Sequence, residues 1–397
     1  MKNKLSDISK LTLVGFISTL SLSAMITIWA LYMDSFFHNM AVVGFFSAIL
    51  GIISFISYFS IIPLIERSDK AKLYAFSLFL FFISFILFAV NKNLIVFILL
   101  AVLISVLFTL RNSSFGIIVR DKSKREDLSK NEGFIYTFAN LSWVVGPLIA
   151  GYIASRAGIP SVFLFSSIIV FFALVGFKLS KIKDKNIKKK TDKKIIKNFT
   201  SFFKNKNRVI AYCLELGVSF WWSLIYIFIP LFMKRNNLSE FRIGIFLFAV
   251  ALPLIFLEYL FAKKASVIGF KKIFKIGFLI PAALILVCFF ISNIYYILSL
   301  IVLASVGLAM LEPTIEAYFF DLLNNKQTLR YYSPFLTSIN TGKIISKLVS
   351  SLILLVLPFR FIFLFYALVM FSLFFISFKT KNIIESRRKR LTIKKYR

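Results

Sequence analysis

The chain has 397 residues, 59% of them hydrophobic, with a mean hydropathy of +0.85 and a formal net charge of +32. A soluble domain averages roughly 45–50% apolar residues, so almost none of this chain is left over for one. The lysines cluster in loops between apolar runs, where they set membrane topology and meet anionic lipid, so the charge points away from nucleic acid. One histidine (His38) and two cysteines inside apolar runs (Cys213 and Cys288) leave no ligand cluster for zinc or haem. No metal, cofactor or disulfide is expected.

In chain order, apolar runs fall at roughly 11–33, 40–62, 73–90, 94–118, 132–154, 159–179, 209–232, 243–262, 273–292, 295–320, 334–357 and 359–378. Each is long enough to cross a bilayer as a helix. The expected fold class is therefore an all-α integral membrane protein with 12 transmembrane helices. The first run is too long for a signal-peptide core and lacks a small-residue cleavage site, so it reads as the first span. With the N-terminus inside, about 40 of the 49 Lys and Arg lie on the cytoplasmic side. Only Lys92, Arg156, Lys234, Arg235, Arg242 and Arg360 lie outside. Both termini are thus expected in the cytoplasm. The segment 180–208, SKIKDKNIKKKTDKKIIKNFTSFFKNKNR, is a basic linker, with an apolar face that suggests a short amphipathic helix on the cytoplasmic surface.

The second half repeats the first at an offset of 200. VLISV at 102–106 stands over VLASV at 302–306, and FLF at 163–165 recurs at 363–365. Asp121 pairs with Asp321, Thr137 with Thr337, Asn140 with Asn340 and Gly44 with Gly244. Two six-helix pseudo-repeats follow, related by an axis along the membrane normal. The expected organisation is a six-helix bundle at 1–179, the linker at 180–208, a second bundle at 209–378 and a basic tail at 379–397.

On this plan the chain resembles the major facilitator superfamily over essentially its full length. The loop IPLIERSDKAK at 62–72 stands where that family carries an acid–Arg signature, in a degenerate form. The resemblance implies a conformational latch at Glu66 and Arg67. Span five reads Gly133, Ser142, Gly146, Pro147, Ala150 and Gly151 at the spacing of the family's exporter-type signature. Ser142, Gly146 and Ala150 also form a small stripe that admits a neighbouring helix, and Pro147 favours a bend. Ordinary close packing explains the same residues equally well. The signature is associated with antiport and export.

Charges within spans are costly and usually face a cavity or a partner. Arg111 lies about 17 residues into span four, beside Asn112, whose counterpart in the repeat is Glu312. In the family the corresponding helices help line a central cavity, so Arg111 and Glu312 are candidate partners for proton coupling. Span seven carries Glu215, then Trp221 and Trp222 near its middle, and Tyr226 one turn further on. Trp222 and Tyr226 suit a flat or cationic ligand, although core or interface packing is the commoner use of such residues. Glu258, beside Lys263 and Lys264, reads as structural. Span ten holds Glu312, Pro313 and Glu316, and span eleven holds Lys343 and Lys347 one turn apart. A Glu–Lys ladder between these two spans is expected, with static Lys343–Glu316 pairing as its simpler form. Asn140 and Asn340, matched across the repeat, complete the cavity candidates.

These residues imply a secondary transporter of the plasma membrane that moves a small organic solute by alternating access, acting as a monomer. Glu312, Arg111, Glu316 and Lys347 are the proton-coupling candidates, and proton-coupled efflux is the leading form. Pro313 marks an expected bend. Uptake of a sugar or other nutrient is the alternative, and a non-transporting receptor or scaffold is a more distant one. Without a clustered nucleophile, base or metal site, an enzyme is not expected. A reporter that is active only outside the membrane should be silent when fused to either terminus and active when inserted at 156–158, as read by enzyme assay on intact cells.

Overall fold

The computed structural model describes residues 6–123, 128–182 and 195–384. Residues 183–194 of the basic linker and 385–397 of the tail lie outside the described residues. Among the described residues, 12 helices are long and apolar enough to cross a membrane. Spans one to six are Asp7–Phe37, Met40–Arg67, Lys70–Val90, Leu94–Lys122, Leu128–Ala157 and Ile159–Leu179. Span seven is Lys206–Arg235. Spans eight to twelve are Glu240–Ile268, Phe270–Phe290, Ile294–Asp321, Asn325–Val356 and Arg360–Ser377. Most run several residues beyond the hydropathy limits, because apolarity marks only the hydrocarbon-facing part of a helix. Polar caps set their true starts. The side chains of Ser6, Asp69, Asn93 and Asn293 accept from backbone N–H groups of their first turns, and Asn324 forms a capping box with Gln327. The 200-residue repeat survives in the helix starts: Met40 and Glu240, Lys70 and Phe270, Leu94 and Ile294.

Two compact units form, each taking a short helix end from the other half of the sequence. The first holds most of spans one to six together with Asn237–Phe248. Span one packs against spans five and six and is its most buried helix. Tyr32 sits among Phe36, Phe88, Phe97 and Phe163, with centroids 4.6–5.6 Å away, and its hydroxyl donates to the Phe88 carbonyl at 2.8 Å. The small stripe of span five is a packing surface. Ser142 donates to the Phe16 carbonyl at 3.0 Å, and a Cβ on Gly146 would meet the Ser23 Cβ at 2.7 Å. One turn further on, a Cβ on Gly151 would lie 2.7 Å from the Glu240 carbonyl oxygen and 2.9 Å from the Gly244 Cα. Two backbones therefore touch at Gly151 and Gly244, which only residues without a side chain allow.

The second unit holds spans seven to twelve with Asn39–Ala48. Span seven takes the place of span one, packing against spans ten, eleven and twelve. Its helix passes through a π turn at Leu224–Phe228, just before Pro230. Proline has no N–H and its ring crowds the carbonyl four residues back, so the wider turn absorbs the mismatch. The expected linker helix is present at Ile195–Phe203 and docks on this unit. Phe202 is fully buried, and Arg208 donates to the Ser201 and Phe202 carbonyls at 2.6 and 3.1 Å while lying 4.0 Å over the Tyr331 ring. Large apolar side chains elsewhere remain exposed, including Leu99, Phe172, Tyr259 and Phe290, as lipid-facing positions require.

Replacing Gly151 or Gly244 with Leu should force these backbones apart and cost about 1–3 kcal/mol, as overpacked cores do. Thermal unfolding of the purified protein in detergent should show a lower midpoint for both variants. An unchanged midpoint would mean that the two helices do not meet there.

Candidate solute and coupling site

The polar residues of the second unit converge. On span seven, Glu215, Trp222 and Tyr226 are separated by seven and four residues, which places them along one helix face. Trp222 and Tyr226 stack, with ring centroids 5.4 Å apart and planes 26° from parallel. The Trp222 indole N–H donates to the Glu312 carboxylate on span ten. Glu258 of span eight lies within electrostatic reach of the same Glu312 side chain. Lys343 of span eleven lies within electrostatic reach of Glu312 and Glu215. Lys343 is exposed, and Glu215, Trp222, Tyr226, Glu258 and Glu312 are half-buried, so the group borders open space rather than a sealed core. Three acids, one lysine and a stacked aromatic pair thus share one wall.

Local backbone chemistry shapes span ten at this point. Pro313 lacks the N–H that would bond the carbonyl four residues back, at Ala309. Thr314 turns its hydroxyl onto the neighbouring carbonyls of Met310 and Leu311 at 2.5 and 3.1 Å. Such back-bonding loosens the helical ladder and favours bending, directly beside the acid that accepts from Trp222.

Other expected site residues have different partners. Glu316 accepts from the Tyr332 hydroxyl at 2.7 Å, where a Lys343 pairing was expected. Lys347 donates to the Ser47 carbonyl at 3.3 Å. Trp221 turns into the core and is fully buried. Asn340 is half-buried. In the first unit, Arg111 is buried and donates to Asn112 Oδ1 at 2.8 Å, Ser18 Oγ at 2.7 Å and Thr19 Oγ1 at 3.1 Å, and the Tyr74 hydroxyl lies 3.3 Å from the same Ser18 oxygen. These partners are neutral polar groups of its own unit. Asn112 and Asn140 are exposed. Gly146, Pro147 and Gly151 belong to the packing described above. Arg67 is exposed at the end of span two, and the Glu66 side chain lies outside the described ones. Among the described residues, no group of His, Cys, Asp and Glu is disposed to hold a metal ion.

Glu258 is the residue that sequence reasoning passed over. Its neighbours Lys263 and Lys264 suggest a surface ion pair. The helix register carries the better signal, since Glu258 and Glu312 each lie 18 residues after the first residue of their helices, Glu240 and Ile294. Tyr332, Ser18, Thr19 and Tyr74 gave no sequence signal, because hydroxyls are common in spans.

A family model of the Major Facilitator Superfamily matches residues 11–255 and again 211–394. The chain belongs to this superfamily. It is a multi-pass membrane transporter, not an enzyme. Similar solved structures include a mutant form of the nucleoside transporter NupG, 13% identical over 94% of this chain and 99% of that one, with a TM-score of 0.76. The peptide transporter POT in complex with sulfate is 12% identical over 94% and 93%, with a TM-score of 0.73. A bacterial homologue of the iron transporter ferroportin in an inward-facing state is 14% identical over 94% and 98%, with a TM-score of 0.72. At these identities the likeness is one of fold. No curated protein matches the sequence.

The cage around Arg111 gives a direct test. Lys presents a point charge in place of a planar fork and cannot hold Ser18, Thr19 and Asn112 together. Hydrogen bonds to charged groups contribute about 1.5–3 kcal/mol, so Arg111→Lys should destabilise the superfamily fold by that order. Chemical or thermal unfolding in detergent, followed by tryptophan fluorescence, checks it.

Proposed function

We propose that this transporter moves a small organic solute outward across the plasma membrane in exchange for protons, by alternating access. One observation carries the reading. Glu312, a half-buried carboxylate within a span, is hydrogen-bonded to Trp222, and Trp222 stacks on Tyr226. A group that can gain and lose a proton is thereby tied to the surface best suited to hold a solute. Aromatic faces take flat or cationic groups, and the surrounding acids favour positive charge. A solute that settles on the aromatic pair disturbs the indole N–H, and the indole reports that disturbance to the carboxylate. Pro313 and the Thr314 back-bond give span ten a place to bend as the protonation state changes.

The positive-inside asymmetry supports cytoplasmic termini, and the lysine-rich linker and tail suit the anionic lipids of that leaflet. Proton-coupled or facilitated uptake is the second reading. Lys343, exposed beside the acids, favours it for cargo that carries an anionic group. The direction of flux in vesicles separates the two.

Purified protein in proteoliposomes, given an imposed pH gradient and a panel of cationic amphiphiles, sugars and organic anions, tests the reading. Glu312→Gln should abolish gradient-driven movement while the protein still folds. Full coupled transport by that variant would remove Glu312 from the mechanism.

A further inference from the structure

The two halves of the sequence start a matching helix in different ways. Span three begins at Lys70, and span nine at Phe270, 200 residues on. Ahead of span three, the Asp69 side chain accepts from the Lys72 N–H at 3.0 Å. Gly269 stands at the matching place ahead of span nine and has no side chain to offer. The first N–H groups of a helix need partners from outside it. Here one partner comes from the chain beyond span twelve, where the Ile383 carbonyl accepts from the Phe270 N–H at 3.4 Å.

That contact is long for a backbone bond, but several others seat the same short segment, 380–384. The Lys381 N–H donates to the Tyr318 hydroxyl of span ten at 2.9 Å. Thr380 and Ile383 are buried, while Lys381 and Asn382 between them are exposed. Gly269 holds φ at +92°. A Cβ there would lie 3.1 Å from Asn382 Oδ1 and from Ile384 Cγ1, and 3.2 Å from the Ile383 carbonyl oxygen. Glycine is thus required twice, by the backbone conformation and by the segment that lies on it. Tyr318 is buried, with its ring centroid 5.8 Å from that of Phe270 and 5.3 Å from that of Phe274. One residue of span ten therefore meets span nine through its ring and the segment through its hydroxyl. Span twelve joins the same cluster, since the Lys275 ammonium of span nine lies 3.7 Å over the ring of Phe378.

We propose that residues 380–384 are a strap that supplies the missing cap of span nine and fixes the end of span ten beyond Pro313. Glu312 precedes that proline and Tyr318 lies five residues after it. A change in the bend at Pro313 moves Tyr318 relative to span nine and pulls on the strap. The strap thereby limits how far span ten bends. Its residues act through span ten and not on a solute, so they are positioning residues. Asp69 ties span three within its own first turn, whereas the strap ties three helix ends together, which a side-chain cap cannot do.

The hold on the bend rests on the reading of Glu312 and Pro313 given above, but the strap does not, and it can be tested without cargo. Hydrogen exchange read by mass spectrometry on the full-length protein in detergent reports local opening. Tyr318→Phe removes the oxygen that accepts from Lys381 and keeps the ring. Exchange should rise about three- to tenfold in the peptides that carry Phe270 and Tyr318, the effect of one hydrogen bond on a local opening. Spans one to six should exchange as before. Ile383→Ala alters no span and should give the same pattern, and it decides the matter should Tyr318→Phe fail to fold. Unchanged exchange in these variants, or a rise spread over all the spans, overturns the strap. In proteoliposomes, Ile383→Ala should change the maximal rate of gradient-driven transport more than the half-saturating cargo concentration. Local loosening with both quantities unchanged overturns the hold on the bend. Local loosening in a protein that moves no cargo even without substitution leaves the strap standing and sinks the transport reading.

Discussion

Hydrocarbon offers no hydrogen bonds, so a chain that crosses it 12 times closes its backbone bonds within its own helices. Much else in the structure follows from that constraint. Hydroxyl side chains turn back on carbonyls of their own helix, as Thr12, Thr27, Ser77, Ser105 and Ser223 do. Polar groups that cannot do so bond across helices, as Ser21 does to the Ser166 carbonyl and Tyr366 does with Ser346. Association gains nothing from removing apolar surface from lipid, so it depends on close fit and on such cross-helix bonds. The backbone contact at Gly151 and Gly244 and the seat of Gly342 on Leu216 and Ser219 are examples of that fit.

The same constraint makes charged residues within spans informative. Arg111 meets it with a cage of neutral acceptors and Lys347 with a backbone carbonyl. Glu316 meets it with a tyrosine hydroxyl. Glu312 gathers an indole hydrogen bond and the fields of a second carboxyl and a lysine. It is also the acid placed beside a proline and next to the stacked aromatic pair. A static ion pair needs none of these additions.

The π turn in span seven has a similar local origin. A departure from α geometry precedes Pro230 and covers Tyr226, one partner of the aromatic stack. A proline that can be read in the sequence therefore helps shape the surface proposed for the solute.

The amino-acid sequence by itself determined the number of spans, the 200-residue repeat, the linker helix and the family. These follow from apolar length, periodicity and spacing, which are properties of the chain read in one dimension. It also marked Glu312, Trp222 and Tyr226, because charge and ring stacking are conspicuous at helical spacing. Only the tertiary structure decided the partners. Glu316 took Tyr332 and Lys347 took the Ser47 carbonyl, while Glu258 came within electrostatic reach of Glu312. Which side chains meet across helices depends on how each helix is rotated about its axis. That rotation is set by the packing of small residues such as Gly151, Gly244 and Gly342, many of them distant from the site in the sequence.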